Sequence, residues 1–170
     1  MSDAVKVLIA TTFLLLASCM TPYIPMKVEA APETVRIAAL HYAKTYVELG
    51  AAYAWGGQDP LPRTISVDCS GLVVRCYGYA CEDFSYRMPF QDMTAAGMQD
   101  YCDKVAPEPG DLIFMGDGGV VSHIAIFERS DGTKVYFIDS TDLVGSVTER
   151  SYPIASAKFI RYGRLRIITN

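Results

Sequence analysis

Between residues 32 and 50 the apolar positions Val35, Ala38/Ala39, Tyr42 and Tyr46/Leu49 recur at the spacing of one helical face. Pro32 stands where a first helical residue belongs, Glu33 follows in the first turn and Gly50 closes the run, which predicts a helix of about five turns. Residues 51–67 lose that period and carry Gly56-Gly57, Pro60 and Pro62, the composition of a loop. Residues 69–79 are apolar enough for a buried helix, and 82–109 read as irregular with one short helix near 90–98. After Pro109-Gly110-Asp111 the pattern changes to strand-type runs at 112–115, 123–128, 135–139, 145–150 and 158–168. Turn residues separate them: Asp117-Gly118-Gly119, Asp131-Gly132 and Tyr152-Pro153. Helices first and an antiparallel meander later predict an α+β fold, with N-terminal helices packed on one curved antiparallel sheet of about five strands.

The stretch from Val7 to Ala17 is unbroken in apolar or hydroxyl residues. It is too short to cross a bilayer, which takes about 20 residues, and suits the apolar region of a secretory signal. It ends in Leu16-Ala17-Ser18-Cys19, which resembles the lipobox of bacterial lipoproteins. That resemblance implies lipidation of Cys19, a membrane anchor through the lipid, and an address in the bacterial cell envelope on the periplasmic or cell-surface side. The expected layout is a signal peptide over 1–19, a tether over 20–31 marked by Pro22 and Pro25, and one domain over 32–170. A rival cleavage after Ala30, in Val28-Glu29-Ala30, would give a plainly secreted protein.

Composition narrows the function classes. The 170 residues allow one domain with one core, and 51% hydrophobic with 20% charged residues is ordinary for a soluble globule, expected to act as a monomer. A net charge of −4 with scattered cations excludes a nucleic-acid binder. The C-terminal group Lys158, Arg161, Arg164 and Arg166 reads as a solvated strand face. Five cysteines are present; with Cys19 assigned to lipid and Cys69 to chemistry, Cys76, Cys81 and Cys102 remain, and Cys81 with Cys102 is the pair expected to bridge in an oxidising compartment. No Cys-x-x-Cys occurs and there are only two histidines, so no metal or other cofactor is called for.

The chemistry concentrates at Asp68-Cys69-Ser70-Gly71, where a helix is predicted to begin. A helix N-terminus places partial positive charge and free N–H groups beside a thiol, which favours the thiolate and offers an oxyanion site. His123 enters a strand from a Gly-rich turn in phase with Ala125 and Phe127, as a base that meets the thiol across a cleft should. The other imidazole, His41, lies on the first helix and reads as a surface residue. A third group to orient the base is Asp139 on the neighbouring strand, with Asp142 in the following turn as the rival.

Four blocks, Tyr53-Ala54-Trp55-Gly56-Gly57, Asp68-Cys69-Ser70-Gly71, Pro109-Gly110-Asp111-Leu112-Ile113-Phe114 and Ser122-His123-Ile124-Ala125-Ile126, occur in the order found in the NlpC-type (NlpC/p-sixty) papain-like cysteine peptidases of bacterial cell walls, and the sequence resembles that family over roughly residues 35–165. The resemblance implies Cys69 as nucleophile, His123 as base and Asp139 in the third position, which in the family is commonly His. It implies Tyr53 beside the thiol, assisting the oxyanion or holding substrate, and Asp68 and Ser70 where some members receive the substrate's amine. The implied activity is hydrolysis of an amide in a peptidoglycan stem peptide, most often between γ-D-glutamyl and a diamino acid. An amidase or acyltransferase, or a non-catalytic wall-binding module, are the alternatives on the same fold. For Tyr53 and Trp55 plain core packing is the competing reading. The segment 58–67 looks long for the family, which puts the cleft rim in doubt.

Overall fold

In order along the chain the elements are β1 (Lys27–Ala30), α1 (Glu33–Glu48), β2 (Ala52–Tyr53), β3 (Ser66–Val67), α2 (Cys69–Asp83), β4 (Tyr86–Arg87), α3 (Ala95–Met98) running into a 3-10 turn (Gln99–Tyr101), β5 (Cys102–Lys104), β6 (Leu112–Asp117), β7 (Val120–Ser130), β8 (Lys134–Thr141), β9 (Ser146–Pro153) and β10 (Phe159–Thr169). They come from a computed structural model that describes residues 26–62 and 65–169. Cys19 and the predicted signal peptide lie outside the described residues.

The sheet runs in the order β1-β10-β6-β7-β8-β9-β2-β3, with β4 and β5 also pairing with β10. The five predicted strands are its centre, β10-β6-β7-β8-β9, all antiparallel. The strand count is larger than predicted because five short strands of two to four residues join the edges; such segments are too brief to show a period. One of them corrects the tether: Lys27–Ala30 pairs with Arg166–Thr169 and so belongs to the folded domain.

Each face of the sheet buries a different set of residues. One face, with Leu112, Phe114, Ile124, Ile126 and Ile138, packs on Val35, Ala39 and Tyr46 of α1 and on Leu72, Val73 and Tyr77 of α2. The other face curls on itself and holds a smaller core of Ile113, Met115, Ala125, Phe127 and Phe137 under Tyr152, Phe159 and Tyr162. Alternation along β6, β7 and β8 therefore separates two cores, which is why these strands read as almost continuous apolar runs.

Polar anchors join the layers. Asp111, fully buried, receives the Arg164 Nε and Nη2 donors at 2.9 Å each, while Arg36 donates to Glu108 at 2.7 Å and to the Pro109 carbonyl at 3.1 Å. Tyr77 donates to the Gly110 carbonyl at 2.6 Å. The Pro109-Gly110-Asp111 block is thus a structural knot. The C-terminal cations are committed too: Lys158 pairs with Asp117, Arg161 donates to the Cys102 carbonyl and Arg166 to that of Asp100, which corrects the reading of a merely solvated face. The expected Cys81–Cys102 bridge is absent. Both are free buried thiols, one on α2 and the other on β5, each enclosed by the main core. No helix among the described residues is long and apolar enough to cross a membrane.

Candidate active site

Cys69 is the first residue of α2, and the helix starts there because Asp68 caps it. The Asp68 Oδ1 accepts the Gly71 N–H at 2.6 Å and the Ser70 hydroxyl at 2.9 Å, and its Oδ2 accepts the Gly56 N–H at 2.9 Å. One carboxylate therefore fixes the helix start and the Gly-rich loop against each other. Gly71 makes this junction feasible: a Cβ there would lie 2.1 Å from the Gly57 carbonyl oxygen. Asp68 and Ser70 line the cleft, and their observed partners are these capping groups.

His123 arrives from β7 at a bulge. Met115 pairs with His123 and Gly116 with Val121, so Ser122 is the extra residue. The bulge lets Val121 and Ile124 both face the helix-side core while His123 is aimed at the mouth of the cleft. Its Nε2 donates to Asp139 Oδ2 at 2.6 Å, and Cys69 lies beside the ring on the wall of the same cleft, near enough to favour its charged form. Burial works against its positive charge, yet the bond to Asp139 and the neighbouring Cys69 outweigh it and raise the His123 pKa from 6.5 to about 9. The imidazolium is the form this pocket holds.

Of the two carboxylates left open by the sequence, Asp139 is the one that meets His123; Asp142 sits exposed in the next turn, on the cleft wall and near Tyr53. Asp139 has zero exposure and is gripped by Arg150, whose Nε donates to Oδ1 at 2.9 Å and whose Nη2 donates to Oδ2. Arg150 was not singled out from the sequence. It closes a predicted strand and gives no local sign, because its partner is two residues away in the register of another strand: Phe137 faces Arg150 and Asp139 faces Thr148.

The cleft has two lobes of about 360 and 320 Å³ that share Tyr53, Trp55, Cys69 and Ser122, so the sulfur lies mid-groove. One lobe carries His123, Asp142, Arg150, Tyr152 and Lys158; the other carries Gln58, Asp68, Ser70 and Asp92. Tyr53 is half-buried, and burial with the nearby Asp142, Cys69 and Asp68 raises its pKa, so its hydroxyl keeps a proton to donate. Trp55 is 90% exposed, which removes core packing as its role and makes it a wall of both lobes. The long segment 58–67 is held down by Asp59, which accepts from the Ser66 N–H and hydroxyl at 2.9 and 2.8 Å; among its described residues Gln58 lines the cleft. His41 is exposed on α1, away from these groups. Among the described residues no cluster of three or more His, Cys, Asp or Glu could hold a metal ion.

The model of the NlpC/P60 family matches residues 50–158, well over half of the chain and all of the cleft just described. The chain belongs to the NlpC/P60 family. Cysteine peptidases and amidases related to peptidoglycan make up this family in general. Solved structures share the NlpC/P60 fold: NlpC1 from Trichomonas vaginalis is 21% identical, with a TM-score of 0.59, over 81% of this chain and 46% of that one. Ly7917 is 16% identical, with a TM-score of 0.52, over 78% of this chain and 62% of that one. A structure of Ly7917 with the hydrolyzing product of MDP is similar at 15% identity and a TM-score of 0.52, over 76% and 62%. The chain thus spans less than half of the first and about three-fifths of Ly7917. No curated protein matches it.

Proposed function

We propose that this NlpC/P60 protein is a cysteine endopeptidase that hydrolyses amide bonds in peptidoglycan stem peptides, cutting between γ-D-glutamyl and a diamino acid, through an acyl-enzyme on Cys69. The observation that carries the reading is the single chain of contacts from Cys69 at a helix N-terminus to His123 and on to Asp139. Thiolate and imidazolium stabilise each other across that contact. The Cys69 sulfur attacks the amide carbonyl, and the oxyanion is received by the Cys69 backbone N–H and the Tyr53 hydroxyl. His123 gives its proton to the leaving amine, which departs and leaves a thioester. Water then attacks with His123 Nδ1 taking its proton, and the thiol is regenerated. Asp68 and Asp92 give one lobe an acidic lining suited to a substrate amine.

Two features support an extended peptide substrate: the sulfur lies mid-groove, with space on both sides, and an exposed indole borders both halves. Export by the N-terminal segment and anchoring through a lipid on Cys19 belong to the same proposal, since the substrate lies outside the cytoplasm. Incubation of purified peptidoglycan with the protein should release fragments carrying new free amines, identified by mass. Cys69→Ala and His123→Ala should each lower turnover by a factor on the order of 10³ or more with the fold intact. Turnover surviving in either variant removes this assignment.

A further inference from the structure

Arg150 stands in an unusual place for a cation, beside the carboxylate that serves the base. Its side chain is 15% exposed, with the guanidinium carbon 5.5 Å from the Phe137 ring centre and 5.4 Å from that of Tyr152, and its Nη1 donates to the Tyr152 hydroxyl at 3.1 Å. That aromatic shelf leaves Nε and Nη2 aimed at the two oxygens of Asp139. The oxygen that takes Nη2 is Oδ2, the same atom that accepts from His123 Nε2. The pairing is bidentate, so the cation reaches the oxygen that faces the imidazole as well as Oδ1.

A bare carboxylate with zero exposure would be costly, and it would bind the imidazolium with nearly its full charge. With Arg150 in place the carboxylate and guanidinium sum to no net charge. His123 then meets an oriented acceptor rather than an uncompensated anion. We propose that Arg150 is a positioning residue for the base: it neutralises and orients Asp139, so that His123 faces a charge-compensated pair and can release its proton to the leaving group. This rests on the catalytic reading above. The ionisable groups facing the unit are Cys69 from α2, Arg150 and Tyr152 from β9, and, along the same cleft wall, Tyr53, Asp117, Asp142 and Lys158, of which Lys158 pairs with Asp117.

The sign of each perturbation follows. Removing the cation leaves His123 and Asp139 to hold a shared proton more tightly, whichever of the two carries it. Removing the anion leaves Arg150 uncompensated beside the ring and loosens that proton. Removing both restores a neutral acceptor.

The test is the ring titration of the two histidines by NMR in the full chain, with His41 as internal reference, in Arg150→Met, Asp139→Asn and the double variant. Arg150→Met should raise the proton affinity of the His123 unit by about tenfold or more, and Asp139→Asn should lower it by a comparable factor. The double variant should fall between them. Turnover of stem peptides near neutral pH should drop about ten- to a hundredfold in Arg150→Met and recover at least about tenfold on adding Asp139→Asn. A His123 midpoint that does not move in Arg150→Met, or a double variant no better than Arg150→Met, overturns the proposal. Should Arg150→Met fail to fold, Asp139→Asn decides alone, and a midpoint that does not fall overturns it. Wild-type protein that cuts no stem peptide while the midpoints shift as stated would end the peptidase reading and leave the Arg150 role standing.

Discussion

Of the four described cysteines, only Cys69 is not buried, and it alone lies in the cleft beside an imidazole. Burial pushes the Cys81 and Cys102 thiols up to about 12 and drives Cys76 well above its ordinary value. One equivalent of iodoacetamide at pH 7 should therefore modify Cys69 alone, mapped by peptide mass; label spread over Cys76, Cys81 or Cys102 would contradict the assignment of the nucleophile. The histidine carries a second consequence. Its pKa is raised in the folded chain, so the stability it lends is fully present below about pH 6.5 and is lost as the pH rises through about 9. That shift on a group 23% exposed corresponds to a contribution of about 3 kcal/mol. The difference in unfolding free energy between wild type and His123→Gln should be largest at pH 6 and shrink by a comparable amount at pH 10, read from denaturant curves. At this scale the sequence was informative about Cys69, His123 and Asp139, because each sits at a position that local pattern marks: a helix start, a strand entry, a strand end. Arg150 and the exposed Trp55 escaped for the same reason in reverse, since register and solvent exposure are non-local properties.

Elements succeed or fail here by how they meet, and the junction of α2 with the Gly56-Gly57 loop is the clearest case. Asp68 holds donors from both sides, and Gly71 leaves no room between them. A methyl group at position 71 would collide with the Gly57 carbonyl, which as backbone cannot swing aside, so the loop bearing Tyr53 and Trp55 must shift or the helix must start later. Gly71→Ala should destabilise the domain by about 2 kcal/mol or more and lower turnover beyond what lost folding explains, measured at a temperature where the variant remains folded. Gly78→Ala, at a helix position with nothing within 4 Å, is the control and should leave turnover unchanged. The first long helix was readable as a period, the second as an apolar run and the five long strands as runs between turn residues, and the sheet's centre follows directly from them. The edge strands were not, for β2, β3 and β4 have two residues each and exist only because a neighbour offers hydrogen bonds.

Taken whole, the molecule is closed by its last strand, which joins pieces from both ends of the chain: β10 pairs with β1, β4, β5 and β6. The start of the domain is therefore set by the partner of β10 rather than by the first helix, where the amphipathic pattern begins. Four residues, Lys27–Ala30, cover Arg166–Thr169, and the Ala31 N–H donates to the Leu165 carbonyl at 2.8 Å. Val28 and Glu29 thus belong to the sheet, and cleavage after Ala30 would strip a strand from its edge, whereas cleavage before Cys19 leaves it in place. Two truncations separate the cases. A chain beginning at Met26 keeps every contact described for the domain and should match the full chain in melting temperature and in turnover. One beginning at Ala31 loses the whole β1 ladder and should melt several degrees lower, with greater aggregation from the bared edge of β10. Equal melting of the two would mean that β1 is an ornament of the sheet and that the domain starts at α1; a marked loss in the first would place the essential boundary before residue 26.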